Sequence, residues 1–333
     1  MRVEGAVTAV SWIPSEAVRG VVYRVPFEVG MAHYDDPPPD ELREVDEVLA
    51  ADRVRFVNQL QAWVEVEDGV VVDFGQAGRG RIGSTTLRVA GAGMTFAAVP
   101  FTDRQTAEKV GKTAVRFEQT SGGRTGVPAP RRVNRAPFVQ LAAPIAWTTL
   151  ALTLHADGRQ ESELVGASPF PRHWVYDGEG RLTHKSAHID WHRWSTEAFG
   201  KRTPWGDSDS PVVVAEAESA LERELSLHIM RSGAKPTIRR VKAGELLTQQ
   251  GDEADELYLV LDGLLRVDVD GEQVAEIGPG AVLGERAILA SGRRTASLVA
   301  VTSCRVAVAG REAIKPDLLR ELAEGHRREE GSS

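Results

Sequence analysis

Residues 278–300 read G-P-G-A-V-L-G-E-R-A-I-L-A-S-G-R-R-T-A-S-L-V-A, and their types and spacing could hold a small phosphate ester. Gly284 lacks a Cβ, so backbone can come close to a ligand there. Residues 286–289 read as one short helical turn, and the first free N–H groups, near Arg286 and Ala287, would turn toward an anion. Arg294 follows Glu285 by nine positions (294 − 285). Its guanidinium is a planar fork for two phosphate oxygens. Glu285 supplies a carboxylate that accepts a hydrogen bond from a sugar hydroxyl. Of the two adjacent arginines, Arg293 reads as solvent-facing.

The segment resembles the phosphate-binding cassette of the cyclic nucleotide-binding domain family. The family pattern runs F-G-E-aliphatic-A-L-L and then P-R-[A/T/S]-A-[T/S]. Upstream, Val241-Lys242-Ala243-Gly244-Glu245, Gln250-Gly251-Asp252, Tyr258-Leu259-Val260, Gly263 and Asp270-Gly271 fall at the family's offsets. Leu283 stands where Phe is usual, and Arg286 where an aliphatic residue is usual. The resemblance covers about the last third of the chain. It implies cAMP or cGMP as ligand, with no other cofactor, and a binding set of Leu283, Gly284, Glu285, Arg286, Ala287, Arg294, Thr295 and Ala296. Some cGMP-selective members also place Thr after the arginine. Many bacterial-type cassettes with Arg-Thr take cAMP, so cAMP is the expected choice. The resemblance also implies a lid helix after the β-roll, with Leu318, Leu319 and Leu322 as its apolar residues.

Other candidate chemistry lies upstream. Gly78-Arg79-Gly80-Arg81-Ile82-Gly83 matches G-x-G-x-x-G, but residues 84–89 read as a strand where a dinucleotide site needs a helix; a hairpin loop is expected. Gly111-Lys112-Thr113 lacks the earlier glycine of a phosphate loop. His173, His184, His188 and His192 fall within twenty positions and could align, with Asp190, around a metal. No fixed ligand motif is present, and a solvated polar face is the plainer reading, so no metal is expected. Residues 122–137 read as a long loop holding Arg124, Arg131, Arg132 and Arg135, suited either to an anion or to solvent. No nucleophile pairs with a base by sequence, and no catalytic residue is assigned.

The elements that position these residues fall into two groups. All seven Trp and all nine Phe precede residue 206, which implies two separate cores. Residues 1–205 are expected to form a strand-rich sandwich or barrel with helical additions. A turn-rich linker follows at 206–211, and for residues 212–333 the resemblance implies a jelly-roll-like β-roll with flanking helices. The class is thus α+β, mainly β. Strands are expected at 6–12, 21–27, 62–66, 70–74, 87–99, 114–117, 161–165, 173–176 and 182–185, with a long run over 138–154. Asp68-Gly69 marks a hairpin. Asp40 is expected to cap a helix carrying Leu42, Val45 and Leu49. Asp190 should start another that stops at Gly200. Residues 212–230 read as an amphipathic helix through Ala217, Leu221, Leu225 and Ile229.

A chain of 333 residues with net charge −8 is not expected to bind DNA through phosphate contacts. The 25 residues after Val308 (333 − 308) are also too short for a helix-turn-helix. Cys304 is the only cysteine, so no intrachain disulfide forms. No secretory signal or membrane span is read, and a cytoplasmic location is expected. The leading reading is a cyclic-nucleotide receptor regulating its N-terminal domain, more a binding protein than an enzyme. A nucleotide-gated enzyme and a non-catalytic carrier or assembly protein stay open, as does a protein partner or homo-oligomer.

Overall fold

The computed structural model describes residues 1–14, 17–18, 24, 34–50, 54–83, 85–89, 92–96, 98–126, 129–132, 139–206, 212, 214–216, 226, 229–230, 236–289 and 292–310. The chain divides into two compact units, Met1–Val214 and Ala215–Ser333.

In the first unit alternating apolar residues build two facing antiparallel sheets. One runs in the order Leu182–Ser186, Arg172–Tyr176, Arg2–Trp12, Phe56–Glu67, Val70–Ile82. The other runs Gln160–Ala167, Ile145–His155, Ala114–Arg124, with Val99–Pro100 and Arg104–Val110 both pairing along the far side of Ala114–Arg124. Val3, Val7, Leu60 and Val64 from the first sheet meet Val115, Phe117, Leu150 and Leu154 from the second in one buried core. The period-2 placement of these residues is what lets one face of each strand leave water. The Asp68-Gly69 turn has φ +52° and +74°, the doubly left-handed turn that matches the twist of a hairpin.

The first unit departs from its sequence pattern in several places. Residues 78–82 are not a loop: they belong to the Val70–Ile82 strand, and a Cβ at Gly78 (φ +120°) would clash with the Gln59 carbonyl oxygen. Their glycines serve close strand approach, which imitates a nucleotide motif in sequence. Asp40 does not cap a helix. Leu42 N donates to Gly180 O and Leu182 N to Asp40 O, so this stretch pairs as backbone, and the helix begins at Val45–Ala50. The run over 87–99 is not one strand: Thr85–Val89 and Ala92–Phe96 pair antiparallel. The run over 138–154 breaks before Ile145–His155, at Pro144, which has no N–H to give a ladder. The expected loop at 122–137 is partly strand: it closes Ala114–Arg124, and Ala129–Arg132 then pairs with Val139–Ala142. Asp190 does cap its helix, Trp191–Glu197, by accepting from Arg193 N. That helix ends at Ala198 rather than Gly200, and Gly200 opens a separate turn, Gly200–Arg202.

The described residues of the second unit form two antiparallel four-stranded sheets. One holds Thr237–Val241, Cys304–Gly310, Glu256–Asp262 and Val282–Leu283. The other holds Leu246–Thr248, Ser297–Ala300, Leu265–Val269 and Glu272–Ile277. The Glu256–Asp262 strand is buried on both faces. Tyr258 and Val260 join Leu265, Leu298 and Val306 between the sheets, while Leu257, Leu259 and Leu261 pack on the other side with Ile229 and Ile288. Cys304 lies in this core at 2 % exposure, its thiol pushed up to about 11 by burial. Residues 214–216 form a strand, Val214–Glu216, so the expected helix over 212–230 does not start at 212; most of its remainder lies outside the described residues. So do the lid at 311–328, the linker beyond Gly206 and nearly all of the strand expected at 21–27. Among the described residues, no helix is long and apolar enough to cross a membrane.

Candidate functional site

The site is built where the second unit's most buried strand meets its short helix. Leu283 pairs with Tyr258 across the ladder, and the chain then turns at Gly284 (φ +94°) into the helix Glu285–Leu289. A Cβ at Gly284 would lie 2.7 Å from Arg294 Nη1 and 2.9 Å from the Glu256 carbonyl oxygen. The left-handed φ and the crowding both call for glycine. Glu285 is 4 % exposed and Ala287 1 %. Ala287 O accepts from Gly292 N at 2.7 Å, and Gly292 O accepts from Ala254 N, so backbone bonds bring the chain back from the helix toward the arginines.

Arg293 and Arg294 diverge because the backbone here is extended. Arg294 N donates to Asp252 O and Gly251 N to Arg294 O, each at 2.8 Å. Successive side chains then point to opposite faces. Arg293 is exposed and donates to Gly251 O. Arg294 is 7 % exposed. Its Nη1 donates to Glu256 O at 2.8 Å and its Nη2 to the Tyr258 hydroxyl at 3.0 Å. Both acceptors are uncharged, and among the described residues no carboxylate forms an ion pair with Arg294. A buried guanidinium held only by neutral acceptors is costly until an anion meets it. Each terminal nitrogen keeps a second N–H for that anion.

The structure thus brings Gly284 and Arg294 into contact, with Leu283, Glu285 and Ala287 on the same short stretch. Arg286 sits in the helix by its backbone. Thr295 is exposed and Ala296 half-buried at the entry to the Ser297–Ala300 strand. In the sequence Tyr258 falls in the scaffold, and no local pattern marks Glu256 or the phenol as partners of the arginine. The available signal is compositional: Tyr258 is the only aromatic residue after Trp205.

Residues 238–318 match the family described as cyclic nucleotide-binding domain. This segment is a cyclic nucleotide-binding domain. A cGMP-dependent protein kinase of Plasmodium berghei (strain Anka) is 39 % identical over 69 residues, 20 % of this chain and 8 % of that protein. A cAMP-dependent protein kinase regulatory subunit of Yarrowia lipolytica (strain CLIB 122 / E 150) is 36 % identical over 66 residues, 20 % of this chain and 18 % of that one. The chain therefore spans less than a fifth of the length of either curated relative. A solved cyclic nucleotide-binding domain from Methylobacillus flagellatus KT is 27 % identical, with a TM-score of 0.26, over 28 % of this chain and 62 % of its own.

The four clustered histidines do not converge on one site. His173 is buried in its strand: Nε2–H donates to Ser168 O at 2.9 Å, which leaves Nδ1 to accept from the Ser11 hydroxyl at 2.7 Å. His184 lies on the neighbouring strand and His192 is exposed on the helix. The spacing of four therefore does not place them on one face, because strand, connecting segment and helix each take one. Among the described residues, no group of three or more His, Cys, Asp or Glu could hold a metal ion.

Proposed function

We propose that the chain is a cyclic-nucleotide receptor: the C-terminal unit binds cAMP, in preference to cGMP, and binding regulates the N-terminal unit. Arg294 takes the cyclic phosphate through its remaining N–H groups, Glu285 accepts from the ribose 2′-hydroxyl, and Gly284 lets the two lie side by side. The observation that carries this reading is the buried Arg294 guanidinium, bonded only to a carbonyl and a phenol. Such a charge stores binding energy for an anion of matching geometry. The similar proteins include both a cGMP-dependent kinase and a cAMP-dependent kinase regulatory subunit, so base choice rests on titration.

The test is calorimetry of the full chain with cAMP, cGMP and 5′-AMP, joined to hydrogen exchange of Met1–Val214 with and without saturating ligand. The expected result is one site per chain, tighter for cAMP, with altered exchange in the first unit. No heat from either cyclic nucleotide at millimolar concentration sinks the binding reading. Unchanged exchange in the first unit sinks the regulatory one.

A further inference from the structure

Tyr258 sits between two opposite charges. Its hydroxyl accepts from Arg294 Nη2 at 3.0 Å and donates to Glu256 Oε2 at 2.9 Å. The guanidinium carbon of Arg294 lies 4.8 Å from the centroid of the Tyr258 ring. Glu256 acts twice. Its carbonyl takes Arg294 Nη1, and its carboxylate takes the phenol and, at 3.4 Å, Arg239 Nη2. Arg239 lies 5.7 Å from the same ring. A phenol can accept from the cation and donate to the anion at once; phenylalanine could only stack.

We propose that Tyr258 is a positioning residue for the nucleotide site, holding the Arg294 guanidinium in a fixed plane before the ligand arrives. The inference rests on the nucleotide-binding reading of that site. An arginine side chain has large rotamer freedom, and whatever fixes it beforehand removes that cost from binding. The ring attracts the cation, and the hydroxyl and the Glu256 carbonyl each tie one terminal nitrogen. Glu256 in turn orients the hydroxyl. Burial, helped by the hydrogen bond to Glu256 and opposed by the charge of Arg294, raises the phenol's pKa. It therefore stays protonated and keeps both roles at neutral pH.

The test is a double-mutant cycle in the full chain, with cAMP affinity measured by calorimetry and folding by thermal melting. Tyr258→Phe alone is expected to weaken binding about tenfold. In the Arg294→Lys background, where no planar fork remains to be held, the same change should cost less than about twofold. An equal loss in both backgrounds means that Tyr258 acts on the ligand or the fold and not through Arg294, and no loss in either also overturns the inference. If Tyr258→Phe does not fold, 3-fluorotyrosine placed at position 258 alone serves instead. Its fluorine resonance should move as cAMP saturates the site, and a resonance that stays still while calorimetry reports binding overturns the inference. If the wild-type chain binds neither nucleotide, the nucleotide-binding reading itself has failed and this inference with it.

Discussion

Gly284 and Arg294 are in contact: a Cβ at Gly284 would come 2.7 Å from Arg294 Nη1. Alanine there would displace the guanidinium and would also have to hold φ near +94°, a conformation that costs roughly 1–2 kcal/mol for a residue with a Cβ. Gly284→Ala should therefore fold with a lowered melting temperature and bind cAMP at least about tenfold more weakly. Thermal melting and calorimetry check the two parts. Unchanged affinity would mean that Arg294 can take another position and still bind.

Within the bound nucleotide, Glu285 should act on the sugar. Glu285→Ala is expected to cost about 1–3 kcal/mol of binding, the scale of one unsatisfied neutral hydroxyl. The identity of that hydroxyl can be read from the ligand. 2′-Deoxy-cAMP should bind more weakly than cAMP to the wild-type chain, and equally well as cAMP to Glu285→Ala. A wild-type chain indifferent to the 2′-hydroxyl would remove the assigned role.

His173 makes the first unit sensitive to acid. Burial, with the nearby charge of Arg172 adding to it and the Ser168 carbonyl opposing, lowers its pKa from 6.5 to about 4. Between those values the unfolded chain holds a proton that the folded chain refuses. The stability contributed by neutral His173 is therefore complete above pH 6.5 and is lost as pH falls toward 4. The loss reaches about 3 kcal/mol at the lower limit. The melting temperature of the wild-type chain should fall between pH 7 and pH 4 more steeply than that of His173→Gln. Parallel pH profiles would show that His173 is not the group responsible.

Much of the second unit was legible because its chemistry is local in sequence. Gly284, Glu285 and Arg294 lie within eleven positions (294 − 284 + 1), and the turn residues Asp270-Gly271 have the left-handed φ values of +53° and +87° that such a pair favours. What sequence hid were contacts across the sheet. Glu256 and Tyr258 reach Arg294 from 38 and 36 positions away, and no local pattern announces that. In the first unit, glycines misled. Gly78 and Gly80 read as a turn because turns are the commonest use of glycine, yet here they relieve crowding beneath Gln59 and Ser121. Asp40 carried the chemistry of a helix cap, but tertiary pairing with residues 180–182 took its backbone instead.

The most direct measurement is the cAMP affinity of Arg294→Ala against wild type, with Arg293→Ala as the control and circular dichroism to show that all three are folded. Removing Arg294 leaves a partly buried phosphate charge without its donor, a loss of about 2–5 kcal/mol, or roughly thirty- to several-thousand-fold in affinity. Arg293, exposed and turned to Gly251, should change affinity by less than about twofold. A folded Arg294→Ala chain that binds cAMP as wild type does would contradict the account.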